Sequence, residues 1–229
     1  MNKSEEPILG ILGGMGPYAT IDFIRNIHDL TPNIFVDSDH IRIITDSNVK
    51  IPSRTRAILY NEDSPEEGMI ESINNLKKMG ASVIAVPCNS AHYFYSLVNP
   101  KCNGSWVNML ECVSNAVFKN SLESPLILGG YVTVSKKIYS NTIPKAQYLD
   151  NEDNQVIYDL IEDLKICTNN YEEKISKLIK LFKKSDADSI LLACTELTAV
   201  AASFQENGIH VIDSNKEYAL SLVQLIKQT

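Results

Sequence analysis

The chain has 229 residues, 44% hydrophobic and 21% charged, which is enough apolar material for one large or two medium globular domains and too much for intrinsic disorder. Its formal net charge of −7, with lysine and arginine scattered, argues against a nucleic-acid partner or an anionic membrane surface. The opening MNKSEEPILGILGGMG places two acids before a short glycine-rich apolar run, unlike a signal peptide, and no later run reaches the ~20 apolar residues of a membrane span, so a cytoplasmic protein is expected.

Pro7 to Leu12 reads as a short apolar strand, GGMGP (Gly13 to Pro17) as a turn, and Tyr18 to Leu30 as a helix spaced by Ile21, Ile24 and Ile27, with Pro17 suited to its first turn. Ile41 to Thr45 is the next strand. Ser64-Pro-Glu-Glu starts a helix that runs to about Met79, stops at Gly80 and feeds a strand from Ser82 to Pro87. A loop near Asn99 to Gly104 leads to a helix around Met109 to Phe118, a strand from Pro125 to Gly129, and a Ser/Thr-containing loop before Tyr139. Helices over about Asn154 to Cys167 and Glu172 to Lys184 precede a strand from Asp188 to Ala193; Val211 to Asp213 is a last short strand before a C-terminal helix. Strands alternating with helices predict an α/β fold of mainly parallel sheets with right-handed crossovers.

One unit occurs twice. KKMGASVIAVPCNS, Lys77 to Ser90, nearly returns 106 positions later as KKSDADSILLACTE, Lys183 to Glu196, and each copy carries a cysteine at a strand end, Cys88 and Cys194. Ligands of open α/β sheets bind at the carboxyl ends of strands, and a thiol at a helix start meets backbone N–H groups that favour thiolate. A single strand-end cysteine reads as apolar packing; two in matched frames suggest thiols reaching one cleft from opposite sides. That arrangement suits moving a proton from one face of a carbon to the other, one cysteine as thiolate base and the other as thiol acid. Asn89, Ser90, Thr195 and Glu196 follow the cysteines; their backbone amides at helix starts, with polar side chains as donors, fit a substrate carboxylate, and the Glu196 carboxylate reads as orienting the second thiol or a substrate ammonium.

The odd count of five cysteines, at 88, 102, 112, 167 and 194, suggests reduced thiols. Cys102, Cys112 and Cys167 lie off strand ends and read as packing residues. No Cys-x-x-Cys pair occurs, the four histidines (His28, His40, His92, His210) are dispersed, and Cys88 with His92 falls short of a ligand set, so no metal is expected. His92, one helical turn past Cys88, reads as packing near the thiol; Trp106, the sole tryptophan, as an anchor of the domain junction; the lysines between Lys174 and Lys184 as a solvated face.

GGMGPYAT (Gly13 to Thr20), IPSR (Ile51 to Arg54), PCNSAH (Pro87 to His92) and ACTEL (Ala193 to Leu197) together resemble the cofactor-independent aspartate/glutamate racemase family, nearer its aspartate racemase branch, over almost the whole chain. The resemblance implies two pseudo-symmetric α/β domains with the active site in the cleft between them, two catalytic cysteines, no pyridoxal phosphate, no metal, and a homodimer. It assigns the acid/base roles to Cys88 and Cys194, and to Arg54, within Asn-x-x-Ile-Pro-x-Arg, the grip on the substrate's side-chain carboxylate, a task suited to a bidentate fork. It places Lys165 at a substrate-contacting lysine, Thr133 in a substrate loop, and Gly14 and Met15 in a loop whose backbone N–H groups face the same cleft. Three positions depart from the pattern: in the loop after the middle strand, usually two threonines flanking a glycine, only Thr133 and Tyr139 are in register while Gly130, which removes a hydroxyl donor, and Val132 stand at the other places, and Ala193 replaces a glycine.

The expected domains are residues 1–100 plus 209–229, and 101–208. The expected activity is interconversion of L- and D-aspartate, or glutamate, with a small acidic amino acid as partner. Its rivals are a cysteine-dependent decarboxylase or cis-trans isomerase on the same scaffold, and a dicarboxylate-binding protein without catalysis. Gly14-x-Gly16-x-x-Ala19, with Asp37 and Asp39 downstream, formally matches a dinucleotide fingerprint, but Pro17 breaks that turn and a nucleotide would explain neither cysteine.

Overall fold

A computed structural model describes residues 6–166 and 171–228, so Cys167 lies outside the described residues. The α/β expectation holds: there are two three-stranded parallel sheets, each flanked by helices. In the first, β1 (Leu9–Gly13) is the central strand of the order β2-β1-β3, with Leu9 opposite both Ile43 and Val83. All five of its residues are buried, as suits a parallel strand covered on both faces. In the second, a later strand, Ile190–Ala193, takes the same central place.

Helix α1 (Pro17–Leu30) begins on the proline, whose fixed φ suits a first helical turn. The expected Ile21/Ile24/Ile27 stripe is corrected: Ala19, Thr20, Phe23 and Ile27 are buried, while Ile21 is 55% exposed. The face turns because Thr20 is needed inside, where its hydroxyl accepts from Gly14 N–H and donates to the Gly16 carbonyl, both at 2.9 Å. Strand β2 (Ile43–Ser47) is a partly exposed edge. Helix α2 (Arg54–Tyr60), for which the sequence pattern gives no signal, is capped by Ser53, whose hydroxyl accepts from Arg56 N–H at 3.3 Å.

The duplicated unit emerges in register. Helix α3 (Glu66–Lys78) leads through Gly80, at φ +103°, to β3 (Val83–Ala85), which is shorter than expected because Pro87 has no N–H for the ladder. A 3-10 helix (Asn89–Phe94), α4 (Tyr95–Val98) and a second 3-10 helix (Asn99–Cys102) follow, then α5 (Met109–Lys119) and β4 (Leu126–Gly129). The expected loop before Tyr139 is in fact partly helical, α6 (Tyr131–Ser135). Its β-branched residues cost a few tenths of a kcal/mol each in a helix, and burying Val132, Thr133 and Val134 outweighs that. Helix α7 (Asn151–Lys165) starts three residues earlier than expected because the Asp150 carboxylate caps it, accepting from Asp153 N–H at 2.9 Å.

Helix α8 (Glu172–Lys184) matches α3 at the 106-position offset at both ends. Its lysines are not all a free solvated face: Lys174 and Lys177 pair with Asp163 and Asp153 of α7. Then come β5 (Ile190–Ala193), a 3-10 helix (Thr195–Val200), α9 (Ala201–Gln205), β6 (Val211–Asp213) and α10 (Ser214–Lys227). The second sheet has the order β4-β5-β6, Ile190 standing between Leu126 and Val211.

The chain forms two compact units, one ending at Met109 and resuming at Tyr218, the other Leu110–Glu217. Both crossings fall later than residues 100 and 208. Trp106 bridges to Ile84 beside β3, and β6 pairs with β5, so each segment stays with its own sheet until the next helix begins. Trp106 belongs to the first unit's core, with Leu12, Ile84 and Val86; Leu128, Ile190, Leu192 and Phe204 centre the second. Tyr218 of α10 ties into the first unit, its hydroxyl accepting from Val86 N–H and donating to the Val107 carbonyl. Among the described residues no helix is long and apolar enough to cross a membrane.

Candidate active site

Each sheet delivers one cysteine in the same local setting. Cys88 (φ −152°, ψ 109°) caps the helix Asn89–Phe94, and Cys194 (φ −147°, ψ 135°) caps Thr195–Val200. In both, the cysteine carbonyl accepts from the amide three residues on, Ala91 or Leu197, at 3.1 Å. The helix expected after each cysteine is a six-residue 3-10 helix. Such short helices sum few aligned peptide dipoles, so neighbouring side chains have the larger say in thiol ionisation.

Those neighbours differ. Cys88 is 8% exposed, and its Sγ lies 3.4 Å from Ser90 Oγ, where either group can donate. Beneath it, His92 Nδ1 lies 2.9 Å from the Cys88 carbonyl, while Met109 N–H donates to His92 Nε2 at 3.0 Å. The amide bond makes Nε2 the acceptor, so Nδ1 carries the hydrogen and donates to Cys88. Burial pulls the His92 pKa from 6.5 to about 4, keeping the ring neutral in a nest with Trp106, at 4.8 Å between ring centres, and Tyr218. His92 thus pins the peptide of the first cysteine. Asn89 beside it is buried.

Two residues beyond Cys194 stands a carboxylate instead of a hydroxyl. Cys194 Sγ–H donates to Glu196 Oε2 at 2.9 Å, and Thr195 Oγ1 donates to the same oxygen at 3.0 Å. Burial and then the Glu196 charge push the Cys194 thiol well above its ordinary pKa. Lys165, at the end of α7, donates to Glu162 Oε1 at 2.7 Å. Desolvation works against its charge, but Glu162, Glu196 and Cys194 together hold its pKa above the usual lysine value. Lys165 therefore acts electrostatically on the Cys194 group, whereas the resemblance named it only as a substrate contact.

Arg54 begins α2, its Nη1 donating to the Pro52 carbonyl at 3.0 Å. Its Nε is buried with no hydrogen-bond partner among the described residues, a cost that an incoming anion would relieve. The reading of Gly14 as an amide donor is corrected, since its N–H is taken by Thr20. Its role is steric: at φ +82°, a Cβ there would lie 2.6 Å from the Asn48 backbone, so the loop passes this close only with glycine. Met15 packs against the first core. Thr133 is buried, its methyl over Gly129.

The Asp39 carboxylate accepts from Phe35 and Val36 N–H at 2.9 and 3.0 Å, closing its own turn and not waiting for a ribose. His28 and His40, read as dispersed, are paired at 3.2 Å between Nδ1 atoms. No group of three or more His, Cys, Asp or Glu among the described residues could hold a metal. The Ser53 cap and the His92–Met109 bond had no counterpart in the sequence reading, whereas the Cys194–Glu196 bond agrees with the reading of Glu196 as a group that orients the second thiol.

Comparison with known proteins matches residues 12–221 to the family model described as Asp/Glu/Hydantoin racemase. A Bacillus subtilis (strain 168) protein described as the broad specificity amino-acid racemase RacX is 27% identical over 228 residues, covering 94% of this chain and 96% of that one. The solved structure of Picrophilus torridus aspartate racemase has a TM-score of 0.83 at 28% identity, covering 96% of this chain and 94% of that one. An aspartate racemase homologue from Pyrococcus horikoshii OT3 shares the fold, with a TM-score of 0.79 at 21% identity over 96% and 99% of the two chains.

Proposed function

Because the chain belongs to the Asp/Glu/hydantoin racemase family, and is an isomerase acting on amino acids, we propose that it interconverts the enantiomers of aspartate, or of a closely related acidic amino acid, with Cys88 and Cys194 as a pair of bases. The observation that carries this reading is the repetition of one thiol-bearing strand end, with similar extended backbone angles and the same carbonyl-to-amide bond, in both units.

One cysteine, as thiolate, removes the α-proton; the other, as thiol, delivers a proton to the opposite face, and the reverse reaction exchanges their roles. The α-proton of an amino acid is weakly acidic, so the intermediate carbanion needs its carboxylate neutralised by donors already in place. Asn89 and Ser90, with the amides that open the two 3-10 helices, that of Thr195 among them, supply them. Arg54 supports an acidic side chain, since its unpartnered Nε offers a charge-assisted bond to a carboxylate. Lys165 adds positive charge beside Cys194. Glutamate and other amino acids belong in the test because the Bacillus relative is described as broad in specificity and Gly130 carries no side chain.

The test is proton NMR of the protein with each enantiomer of aspartate and glutamate in heavy water, followed by chiral analysis. Loss of the α-proton signal with appearance of the opposite enantiomer is expected. Replacing Cys88 or Cys194 by Ala should lower the racemisation rate by at least about a hundredfold, while Cys102→Ala, buried in the first core, should not. Full racemisation by Cys194→Ala would end the two-base reading. Saturable binding without α-proton exchange would instead favour a binding protein.

A further inference from the structure

The two copies of the thiol unit agree in backbone, and among the matched positions where their side chains differ is the one that touches the thiol: Ser90 stands two residues past Cys88, Glu196 two residues past Cys194. We propose that Glu196 fixes where the resting proton sits, holding Cys194 as the protonated thiol of the free enzyme and leaving the opening base role to Cys88. This inference rests on the racemase reading above and adds a division of labour that the two-base scheme alone does not contain.

The geometry is directional. Cys194 Sγ lies 2.9 Å from Glu196 Oε2, and an ionised carboxylate only accepts, so the sulfur must be the donor and must carry its hydrogen. Thr195 Oγ1 donates to the same oxygen, which holds the carboxylate in place against the sulfur. A thiolate at Cys194 would face that charge in direct contact. At Cys88 the hydroxyl of Ser90 can donate to a thiolate or accept from a thiol, so it tolerates both states. The charged groups acting on Cys194 are Glu196 on its own turn and Lys165 from α7, the latter tethered to Glu162. Lys165 offsets part of the Glu196 charge, and burial pushes the thiol in the same direction as Glu196 does.

The consequence for turnover follows from balance. When the enantiomer whose α-hydrogen faces Cys88 reacts, that proton passes to the Cys88 sulfur and the Cys194 proton passes to the other face of Cα. The enzyme is left with a Cys194 thiolate against Glu196, the disfavoured form. It recovers by taking a proton from solvent at Cys194 and releasing one from Cys88. The opposite enantiomer finds its base only in that disfavoured form.

Iodoacetamide labelling of the free full-length protein, followed by mass spectrometry of the two cysteine peptides from about pH 6 to about pH 11, tests this without requiring turnover. Glu196→Gln is expected to move the Cys194 labelling profile down by at least about one pH unit, tenfold in thiolate fraction at a given pH, with the Cys88 profile as an unmoved internal reference. Ser90→Glu is expected to transplant the effect and slow Cys88 labelling at neutral pH. An unmoved Cys194 profile in Glu196→Gln overturns the proposal. If that variant does not fold, unchanged Cys88 labelling in Ser90→Glu overturns it equally. Failure of α-proton exchange by the unaltered protein would remove the racemase reading while leaving the labelling result standing.

Discussion

Arg54 and His92 carry opposite kinds of polarity into the interior. Arg54 brings a charge with a buried donor left unpaired, and His92 brings a neutral ring with both nitrogens satisfied. A lysine at 54 keeps the charge but loses the planar fork, so Arg54→Lys should raise KM for aspartate or glutamate by about tenfold or more, with a smaller effect on neutral amino acids. Substrate titrations of both proteins check this. At His92, the folded chain refuses a proton down to about pH 4, while the unfolded chain accepts one near 6.5. The contribution to stability is therefore complete above about pH 6.5 and is lost as pH falls to about 4, amounting at most to about 3 kcal/mol. Urea midpoints measured across that window should fall more steeply for the wild-type protein than for His92→Gln.

At the scale of elements, the repeat is a repeat of conformation: α3 and α8 share length and offset, and both lead into a short buried strand and a cysteine-capped 3-10 helix. The glycines around the first copy serve different purposes. Gly80 sits at φ +103° with only Ile8 Cδ1 near a notional Cβ, at 3.6 Å, so Gly80→Ala should cost about 1 kcal/mol of backbone strain. Gly14 combines φ +82° with the Asn48 backbone at 2.6 Å, so Gly14→Ala should cost about 2 kcal/mol or more and displace the loop. Denaturant unfolding of the two variants should rank them in that order.

What was legible at this scale followed strong signals. Helix Glu172–Lys184 and strand Val211–Asp213 came out with the expected bounds, where a long amphipathic run or a turn-bounded apolar run left little choice. Helices α2 and α6 were missed because five or seven residues contain too little periodicity to read. What stabilises them is a single cap at Ser53 and the burial of Val132 to Val134, and the second depends on residues distant in sequence.

For the whole molecule, the residues nominated for chemistry fall into two groups, one in each unit: Cys88, Ser90 and Arg54 in the first, and Cys194, Thr195, Glu196 and Lys165 in the second. Under the proposed two-thiol reading, the chemistry of both groups is proton transfer and charge. Racemisation is accordingly expected to survive dialysis against a chelator and treatment with a carbonyl-trapping reagent; loss of activity to either would reveal a bound group that the thiol mechanism does not use.

The sequence by itself determined the α/β class, the doubled unit and the two strand-end thiols, because those rest on hydrophobic runs and on spacing within a few tens of residues. The tertiary structure decided the rest. It showed that the chain changes unit at Met109 and Tyr218, that the Gly14 amide is satisfied by Thr20, that His92 bridges Cys88 to Met109, and that Cys194 gives its hydrogen to Glu196. Each of these turns on which donor meets which acceptor at about 3 Å, a matter of side-chain direction and burial that a pattern of residue types does not encode.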